Sequence, residues 1–416
     1  MKKVLAIAIA LVLALGCFSL TACKDEVEKI GVILVGDETE GYTKAHMDGI
    51  EAAAAKLGLS DRIVYKKKVD ESSACSTAAK ELIAQGCTLV ISNSYGHQDF
   101  MVEVAEENPN VSFVSMTGDY AAITGLNNFY NAFTQVYESR YVSGVVAGLK
   151  LAEIKDQLTE KNYAGENIKI GYVGAFPYAE VVSGYTAFFL GIQSIVPNVV
   201  MEVKYTDSWF DFDKEAAAAE YLMSTGCCII GQHADSAGAP SAVQNAHKNG
   251  TLCYSVGYNV SMLGDAADVA LTSASNTWAA YYTELLTAWK NGTAIPQDWS
   301  KGYSDGAVNL TELGKACAAG TADKVAAVEA AIKNGTLHVF DTSKFTVGGA
   351  KLDSYTVDLS YYDWANGGVC VYEGAKVNPI KTDANGVSYF DESAFRSAPY
   401  FDVRIDGITE TAATEN

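Results

Sequence analysis

The chain has 416 residues, of which 49% are apolar and 19% charged, with 50 acidic and 30 basic side chains and a net charge of −20. This composition excludes a disordered, collagen-like or small disulfide-stapled protein, and the length suffices for two or three domains. The acidic balance argues against a nucleic-acid partner, because phosphates would be repelled.

The N-terminus has the layout of a secretory signal. A basic start, Met1-Lys2-Lys3, precedes the apolar run Val4 to Leu15, which is too short to span a membrane. Leu20-Thr21-Ala22-Cys23 matches the bacterial lipoprotein box, in which a peptidase cuts before a cysteine that then carries lipid. We predict a signal peptide over residues 1–22, lipidation of Cys23 and an extracytoplasmic protein anchored to the cell membrane; the alternative is a plain secreted protein.

The first half of the body alternates short β-rich runs with helical patterns. In chain order, the predicted elements are strand Ile30–Val35, helix Thr43–Leu57, strand Arg62–Tyr65, helix Ser76–Ala84, strand Cys87–Ser92, helix Asp99–Glu107, strand Val111–Met116, extended segment Asn127–Phe133 and helix Tyr137–Leu151. Repeated strand–helix–strand units require right-handed crossovers, so they predict a parallel sheet with helices on both faces.

The second half repeats the same alternation. Its predicted elements are strand Ile168–Val173, helix Ala179–Ile195, strand Val199–Lys204, helix Asp213–Thr225, strand Cys227–Ile230, helix Ala239–Asn249, strand Thr251–Val256, strand Leu271–Asn276 and helix Thr277–Lys290. The last hundred residues differ, with short aromatic strands and a hairpin signal at Ala384-Asn385-Gly386. We therefore predict an α/β fold of two doubly wound parallel-sheet domains, whose strands present their carboxyl ends to a shared cleft.

Two loops of the first half follow strand ends and carry candidate ligand groups. Gly36–Tyr42 is rich in glycine but holds three carboxylates and lacks the G-x-G-x-x-G spacing, so a nucleotide-phosphate loop is excluded. Tyr42 offers a stacking face, although a tyrosine packed on the helix cap fits the pattern equally well. Asn93, Ser94 and Tyr95 lie in a stretch dense in neutral hydrogen-bonding groups, which suits an uncharged polar ligand or the capping of a helix.

The second half places further candidates at its strand ends. Phe176 and Glu180 follow one strand, and Glu180 at a helix start is also favoured by the helix dipole alone. Trp209 follows the next strand, where an indole is costly to expose and is predicted to form a wall of the ligand site. Asp235 lies after the third strand.

The sequence offers little support for catalysis or metal binding. His233 lies near Asp235, but neighbouring residues on a turn seldom point at each other, and no serine stands in a G-x-S-x-G context. The histidines lack H-E-x-x-H spacing and the cysteines lack zinc-ligand spacing, so the cysteines of the mature chain are interpreted as structural. We predict no enzymatic activity, no catalytic residue, no cofactor and no metal.

Several of these loops resemble the Bmp (basic membrane protein) family of lipoproteins, the substrate-binding components of ABC importers for purine nucleosides and related bases. The similarity covers about Ile30 to Leu286 and rests on the segments Gly41–Gly49, Arg140–Gly148, Gly171–Pro177, Asp207–Asp211 and Gln232–Ser236. It implies the type I periplasmic-binding-protein fold, with two lobes joined by three crossovers and a hinge. The expected lobes are residues 23–127 plus 273–297, and residues 128–272 plus 298–416 with an extended aromatic tail.

The resemblance also implies a ligand and its residues. The family clamps its purine between two aromatic rings, one from each lobe, and Tyr42 and Trp209 stand at the matching positions. Asp235 matches an aspartate that bonds the polar edge of the ligand. Asn93, Ser94, Tyr95, Phe176 and Glu180 lie at matching loops. The implied partners are a purine base or nucleoside, an ABC permease with its ATPase, and the membrane through the lipid anchor, with the protein itself a monomer.

Two departures from the family pattern affect the expected ligand. Tyr42 stands where relatives often have Trp or Phe, and Val35 stands where the nucleoside-binding branch has an acidic residue. The second departure favours a base over a nucleoside, and the matching segments resemble the branch of the family associated with adenine-like bases. A ligand-sensing receptor and a binder of a sugar or signal molecule in the same fold remain alternatives.

Overall fold

The computed structural model describes residues 27–363 and 367–413. The predicted signal peptide and Cys23 lie outside these residues. The helices of the described part are α1 Gly41–Leu57, α2 Ser73–Ala84, α3 Gln98–Glu107, α4 Val136–Ile154, α5 Ala179–Gln193, α6 Phe212–Thr225, α7 Gly238–Lys248, α8 Trp278–Asn291 and α9 Thr321–Lys333. None of these helices is long and apolar enough to cross a bilayer.

Two sheets organise the described chain. The strands are β1 Lys29–Ile33, β2 Ile63–Lys66, β3 Cys87–Ser92, β4 Ser112–Met116, β5 Phe129–Thr134, β6 Tyr163–Ala164, β7 Asn167–Gly174, β8 Val199–Tyr205, β9 Ile229–Gln232, β10 Tyr254–Tyr258, β11 Ala270–Asn276, β12 Asp298–Lys301, β13 Val308–Leu310, β14 Val357–Asp358, β15 Tyr361–Asp363, β16 Val369–Tyr372, β17 Lys376–Val377, β18 Ile380–Thr382, β19 Ser388–Phe390 and β20 Ile408–Thr411. The first sheet is parallel, in the order β12-β5-β4-β3-β1-β2. The second has the order β13-β11-β10-β9-β7-β8-β20, with β13 antiparallel.

Each sheet is covered by helices on both faces, which explains the nearly continuous apolar runs of its central strands. In the first lobe, α1 and α8 pack on one face and α2 and α3 on the other. In the second lobe, α4 and α5 form one layer and α6 and α7 the other. A Cβ atom at Gly144 would lie 2.1 Å from the carbonyl oxygen of Phe188, so α4 and α5 can approach this closely only with glycine there. The predicted α/β fold with two parallel-sheet lobes is confirmed.

The chain passes between the lobes three times, after β5, after β11 and after β12. The hydroxyl of Thr134, at the first crossing, donates a hydrogen bond to Oδ1 of Asn276, at the second. Both side chains are buried. Two of the three connecting segments are therefore joined directly at the hinge.

The division between the lobes differs from the predicted one by one strand at each crossing. Residues 128–272 were expected in the second lobe, whereas β5 pairs with β4 in the first sheet. Conversely, β11 remains in the second sheet and β12 joins the edge of the first. An apolar strand pattern indicates burial but not which of two sheets accepts the strand, so the sequence alone placed these crossings several residues early.

The tail after β13 contains one helix that the sequence analysis missed, α9, and a hairpin that it predicted. β18 pairs with β19 in antiparallel register, and Gly386 adopts a φ of 84° in the turn between them. Phe340, Phe390, Tyr400 and Phe401 pack into the core of the second lobe. β20 extends the second sheet beside β8. The aromatic composition of the tail thus reflects its packing as an additional layer on this lobe.

The tail buries a carboxyl group whose ionisation opposes folding. Glu392 is 1% exposed, and burial raises its pKa from 4.5 to about 8 although Ser183 and the Phe401 backbone favour the charged form. The pKa of Glu392 is higher in the folded protein than in the unfolded chain. The stability that goes with the neutral carboxyl group is therefore complete below pH 4.5 and is lost as the pH rises towards 8. In the unmodified protein, ionisation of Glu392 should lower the free energy of unfolding by about 2–4 kcal/mol between pH 5 and pH 8. We expect Glu392→Gln to remove this loss. Urea unfolding at a series of pH values measures this, and an unchanged slope would contradict it.

Candidate functional site

The carboxyl ends of the two sheets face each other across a cleft with about 510 Å³ of empty space, part of it open to solvent. The lining residues are Val35, Glu40, Tyr42, Asn93, Ser94, Tyr95 and Thr117 from the first lobe and Glu180, Trp209, His233, Asp235 and Tyr258 from the second. Every one of them follows or ends a strand, or begins the helix after it.

The first-lobe wall is held by a hydrogen-bonded group around Asn93. The Asn93 side-chain oxygen accepts from the Val35 backbone N–H at 2.8 Å, and its amide nitrogen donates to Thr43 Oγ1 at 3.2 Å. The Tyr42 hydroxyl donates to the Asn93 carbonyl at 2.6 Å. These contacts anchor the half-buried Tyr42 ring at its polar end, so that its aromatic faces rather than its hydroxyl are available to the cleft.

Ser94 and Tyr95 lie at the outer part of the same wall. The Ser94 hydroxyl donates to Glu71, which also accepts the Gly96 backbone N–H at 3.1 Å. Tyr95 is 41% exposed and its hydroxyl lies 3.5 Å from Asp119 Oδ2. Ser94 therefore supports the loop, whereas Tyr95 presents a ring at the cleft mouth.

Trp209 belongs to an aromatic group on the second lobe. The Phe176 ring meets the indole edge-on with centroids 5.2 Å apart, and Tyr178 stacks on Phe176 at 5.2 Å. The backbone carbonyl of Trp209 accepts from the Asp235 N–H at 2.8 Å. Phe176 therefore packs against the indole, the Asp235 loop holds the Trp209 backbone, and the Trp209 side chain lines the cleft.

Asp235 links the cleft to the hinge through buried amides. Nδ2 of Asn259 donates to Asp235 Oδ1 at 2.7 Å, and Nδ2 of Asn276 donates to Asn259 Oδ1 at 2.9 Å. Asn276 in turn accepts from Thr134. Asn259 has a φ of 60°, a left-handed conformation that asparagine tolerates better than most residues. A continuous polar chain thus fixes one Asp235 oxygen and connects it to two crossings.

Glu180 is oriented by His233, which lies between Glu180 and a buried arginine. His233 Nε2 is 3.1 Å from Glu180 Oε1, and the ring lies over Tyr258 with centroids 5.0 Å apart. The guanidinium carbon of Arg140 lies 3.6 Å from the Tyr258 centroid, and its Nη1 donates to the Tyr172 hydroxyl and the Gln232 carbonyl. This places positive charge behind the wall rather than in the cleft.

The pKa values of Asp235, Glu40 and His233 are each shifted in the direction that favours the neutral form. Burial, aided by nearby Glu40, raises the pKa of Asp235 well above its usual range, and burial also raises the pKa of Glu40. Burial and the Arg140 charge lower the pKa of His233 to about 4, so the ring is neutral at pH 7 and donates its Nε2–H to Glu180. No lysine or arginine is among the described lining residues. A phosphate would therefore meet no cation in the cleft, whereas the carboxyl groups of Glu180 and Asp235 each present an oxygen that can accept from a ligand.

Of the eight predicted site residues, seven line this cavity; Phe176 is behind Trp209 instead. Their roles in binding remain predictions. Four further lining residues are not among the predicted site residues. Thr117, His233 and Tyr258 lie at or just after the carboxyl end of a strand, and Glu40 is the N-cap residue of the first helix. Thr117 has a φ of 62°, which is strained for a β-branched residue and typical of functional sites. Among the described residues, no group of three or more His, Cys, Asp or Glu could hold a metal ion.

Two relatives carry informative names. The chain is 32% identical over 353 residues to "Purine-binding protein BAB2_0673" of Brucella abortus, covering 81% of this chain and 92% of that protein. It is also 32% identical over 266 residues to "Putative ABC transporter glucose-binding protein TsgA13" of Haloferax volcanii, covering 64% of this chain and 62% of that protein.

The chain is also similar to a solved structure and to a family model. An ABC transporter solute-binding protein from Conexibacter woesei aligns with a TM-score of 0.58 at 19% identity, covering 75% of this chain and 98% of that one, which supports the fold. The family described as "ABC transporter substrate-binding protein PnrA-like" matches residues 27–343. The chain therefore belongs to the Bmp family of ABC transporter substrate-binding proteins, and is a binding protein rather than an enzyme.

Proposed function

We propose that this protein captures a purine base, with an adenine-like ring preferred, in the interlobe cleft and delivers it to an ABC permease. The observation that carries the proposal is the position of Tyr42 and Trp209, which line one cavity from opposite lobes. The purine-binding relative, which this chain matches over most of its length, supports the same class of ligand.

The energetics favour a flat, nitrogen-bearing ring. Stacking of a base on an aromatic side chain contributes roughly 1–3 kcal/mol, and two rings provide two such faces. A sugar without a planar ring would gain less from this arrangement, and a nucleotide would bring its phosphate close to Glu40, Glu180 and Asp235. The carboxyl-rich and lysine-free lining thus favours an uncharged heterocycle.

Polar groups of the second lobe are placed to read the edge of the ring. One Asp235 oxygen accepts a hydrogen bond from Asn259, and one Glu180 oxygen lies near His233. Each carboxyl group therefore has a second oxygen for a ligand N–H. A ligand lacking those donors would leave a buried acceptor without a partner, which costs about 1–3 kcal/mol. Val35 adds no acceptor for a ribose, which favours a base over a nucleoside.

Closure of the lobes couples capture to delivery. Since each lobe supplies one ring, a bound purine stabilises the closed arrangement by its differential affinity for that state. The permease can then distinguish the loaded protein from the empty one. Hydrogen bonds through Asn259 and Asn276 to Thr134 connect the Asp235 carboxyl group to the hinge.

We expect the protein to be held at the membrane by lipid on Cys23, as the lipoprotein box indicates. Cys23→Ser removes the thiol that would carry the lipid, so the protein should move from the membrane fraction to the soluble fraction. Fractionation followed by immunoblotting measures this, with Cys17→Ser as the matched control. Membrane association that survives Cys23→Ser would contradict the anchor.

A sugar is the second candidate ligand, because a putative glucose-binding protein matches this chain at the same identity, although over a shorter length. Titration calorimetry with adenine, guanine, hypoxanthine, adenosine, guanosine, ribose and glucose separates the candidates. We expect adenine to bind most tightly and the two sugars to give no heat. Binding of ribose or glucose without any purine would overturn the proposed ligand.

A further inference from the structure

The tail contains an arm that reaches from the core of one lobe to the core of the other. At its base, β14 and β17 pair, and Val357 is buried in the second-lobe core. Four residues further on, β15 and β16 pair, and Tyr361 and Tyr372 pack against the first-lobe core. The arm, residues 357–363 and 367–377, therefore contacts both lobes within one short stretch of chain.

The outer end of the arm has specific contacts on the first lobe. The Tyr361 hydroxyl lies 2.7 and 2.6 Å from the two carboxylate oxygens of Asp99, at the start of α3. The same carboxylate accepts from the Tyr120 hydroxyl. The Tyr361 and Tyr372 rings lie 4.1 and 5.3 Å from the Tyr120 ring, respectively. An aromatic cluster and a shared carboxylate thus hold this end.

A second segment, residues 391–400, makes an independent bridge. Glu392 and Tyr400 are buried within the second lobe, whereas Arg396 Nη1 lies 3.3 Å from Oδ2 of Asp119 in the first. The two charged side chains are only 16% and 15% exposed, so solvent screens them less than a surface pair. The Ser397 backbone N–H also donates to Asp298 Oδ1, on β12, at 2.7 Å.

These contacts act on the elements that form the cleft. Asp119 lies two residues after Thr117 and beside the Tyr95 hydroxyl, and both of these residues line the cavity. Asp99 lies in the first turn of α3, the helix that follows the Asn93–Tyr95 loop. The arm and the second bridge, which together we call the strap, start beyond residue 343, where the family match ends.

We propose that the strap holds the lobes closed and positions the first-lobe wall of the cleft, with Tyr361 and Arg396 as positioning residues. Because both contact sets belong to the same chain, they form at a high effective concentration and bias the hinge even without ligand. A larger closed population raises the apparent affinity, since only that state presents both lobes to the ligand. This effect on the empty protein is independent of the ligand's identity.

The test combines Tyr361→Ala with Arg396→Ala and measures small-angle X-ray scattering of the ligand-free protein. We expect a larger radius of gyration than in the unmodified protein. With adenine as the probe, we expect dissociation to be roughly five- to tenfold faster in stopped-flow measurements. The matched control is Tyr355→Ala with Arg404→Ala, because these tail residues bond Asp402 and Glu410 within the same lobe.

Identical ligand-free scattering from the unmodified and strap variants would overturn the proposal. Scattering does not depend on purine binding, so failure of the ligand assignment and failure of the strap remain distinguishable. Cooperative unfolding followed by circular dichroism establishes that the variants are folded. If the double variant does not fold, Arg396→Gln is judged by the same scattering criterion, because it removes the charge but keeps a polar side chain. Arg396→Lys, which keeps the charge, is expected to retain the closed form.

Discussion

Replacing Trp209 with alanine should weaken adenine binding by roughly 10- to 100-fold, because one stacking face worth about 1–3 kcal/mol is lost. The half-buried indole lies at the surface of the second-lobe core, so we expect the unfolding free energy to fall by no more than about 1–2 kcal/mol. Titration calorimetry and urea unfolding measure the two quantities separately.

The neighbouring ring provides a matched control for this variant. Phe210 is 44% exposed and is not among the lining residues, so Phe210→Ala removes an aromatic side chain from the same loop without altering the cleft. We expect its affinity for adenine to remain within about twofold of the unmodified protein. Equal affinities for Trp209→Ala and the unmodified protein would remove the stacking argument.

The sequence predicted the lobes well because their signal is local. Apolar runs such as Cys87–Ser92 indicate buried parallel strands, and the helices between them leave only right-handed crossovers. The assignment of β5 and β12 to the first sheet could not be predicted in this way. That choice depends on which exposed sheet edge lies nearest after the chain has crossed, a long-range property that strand patterns do not contain.

Most residues of the candidate site could also be predicted, because they follow the ends of predicted strands, but some lining residues could not. Residues at strand ends that can stack on a ligand or accept a hydrogen bond from it, such as Trp209 and Asp235, can be predicted as site residues from the sequence. The sequence shows no catalytic partner for His233, yet its neutral ring orients Glu180. That neutrality depends first on burial of the ring and second on the charge of Arg140, more than 90 residues away in sequence. From the sequence, Glu40 is only a carboxylate that would repel phosphate. Its burial in the cleft results from the packing of its loop against Thr43, which the sequence does not show.

The tail shows the limit of sequence interpretation most clearly. Its tyrosines and glycines predicted short strands, and the hairpin β18–β19 is confirmed. The contacts of Tyr361 with Asp99 and of Arg396 with Asp119 join residues separated by more than 250 positions. No local pattern encodes such pairs, so the interlobe bridge became visible only in the folded structure.

Asp235→Asn should increase stability and weaken ligand binding at the same time. The Asp235 carboxyl is buried beside Glu40, and its pKa is raised in the folded protein. Ionisation of this group therefore opposes folding increasingly as the pH rises above about 4, the pKa of aspartate in the unfolded chain. Asparagine retains the oxygen that accepts from Asn259 but carries no charge. We therefore expect a higher unfolding free energy than the unmodified protein at pH 8 and no difference near pH 4.

The same substitution should reduce adenine affinity at pH 8 by roughly 10- to 100-fold, because the carboxyl oxygen that would accept a ligand N–H is replaced by an amide NH₂, which is itself a donor. In the unmodified protein, a proton on Asp235 competes with that N–H, so affinity should fall as the pH is lowered, whereas in Asp235→Asn this component should be absent. Asp207→Asn, at an exposed aspartate in a cleft-side loop, is the matched control. Unchanged affinity together with lower stability at pH 8 would show that Asp235 maintains the fold and does not read the ligand.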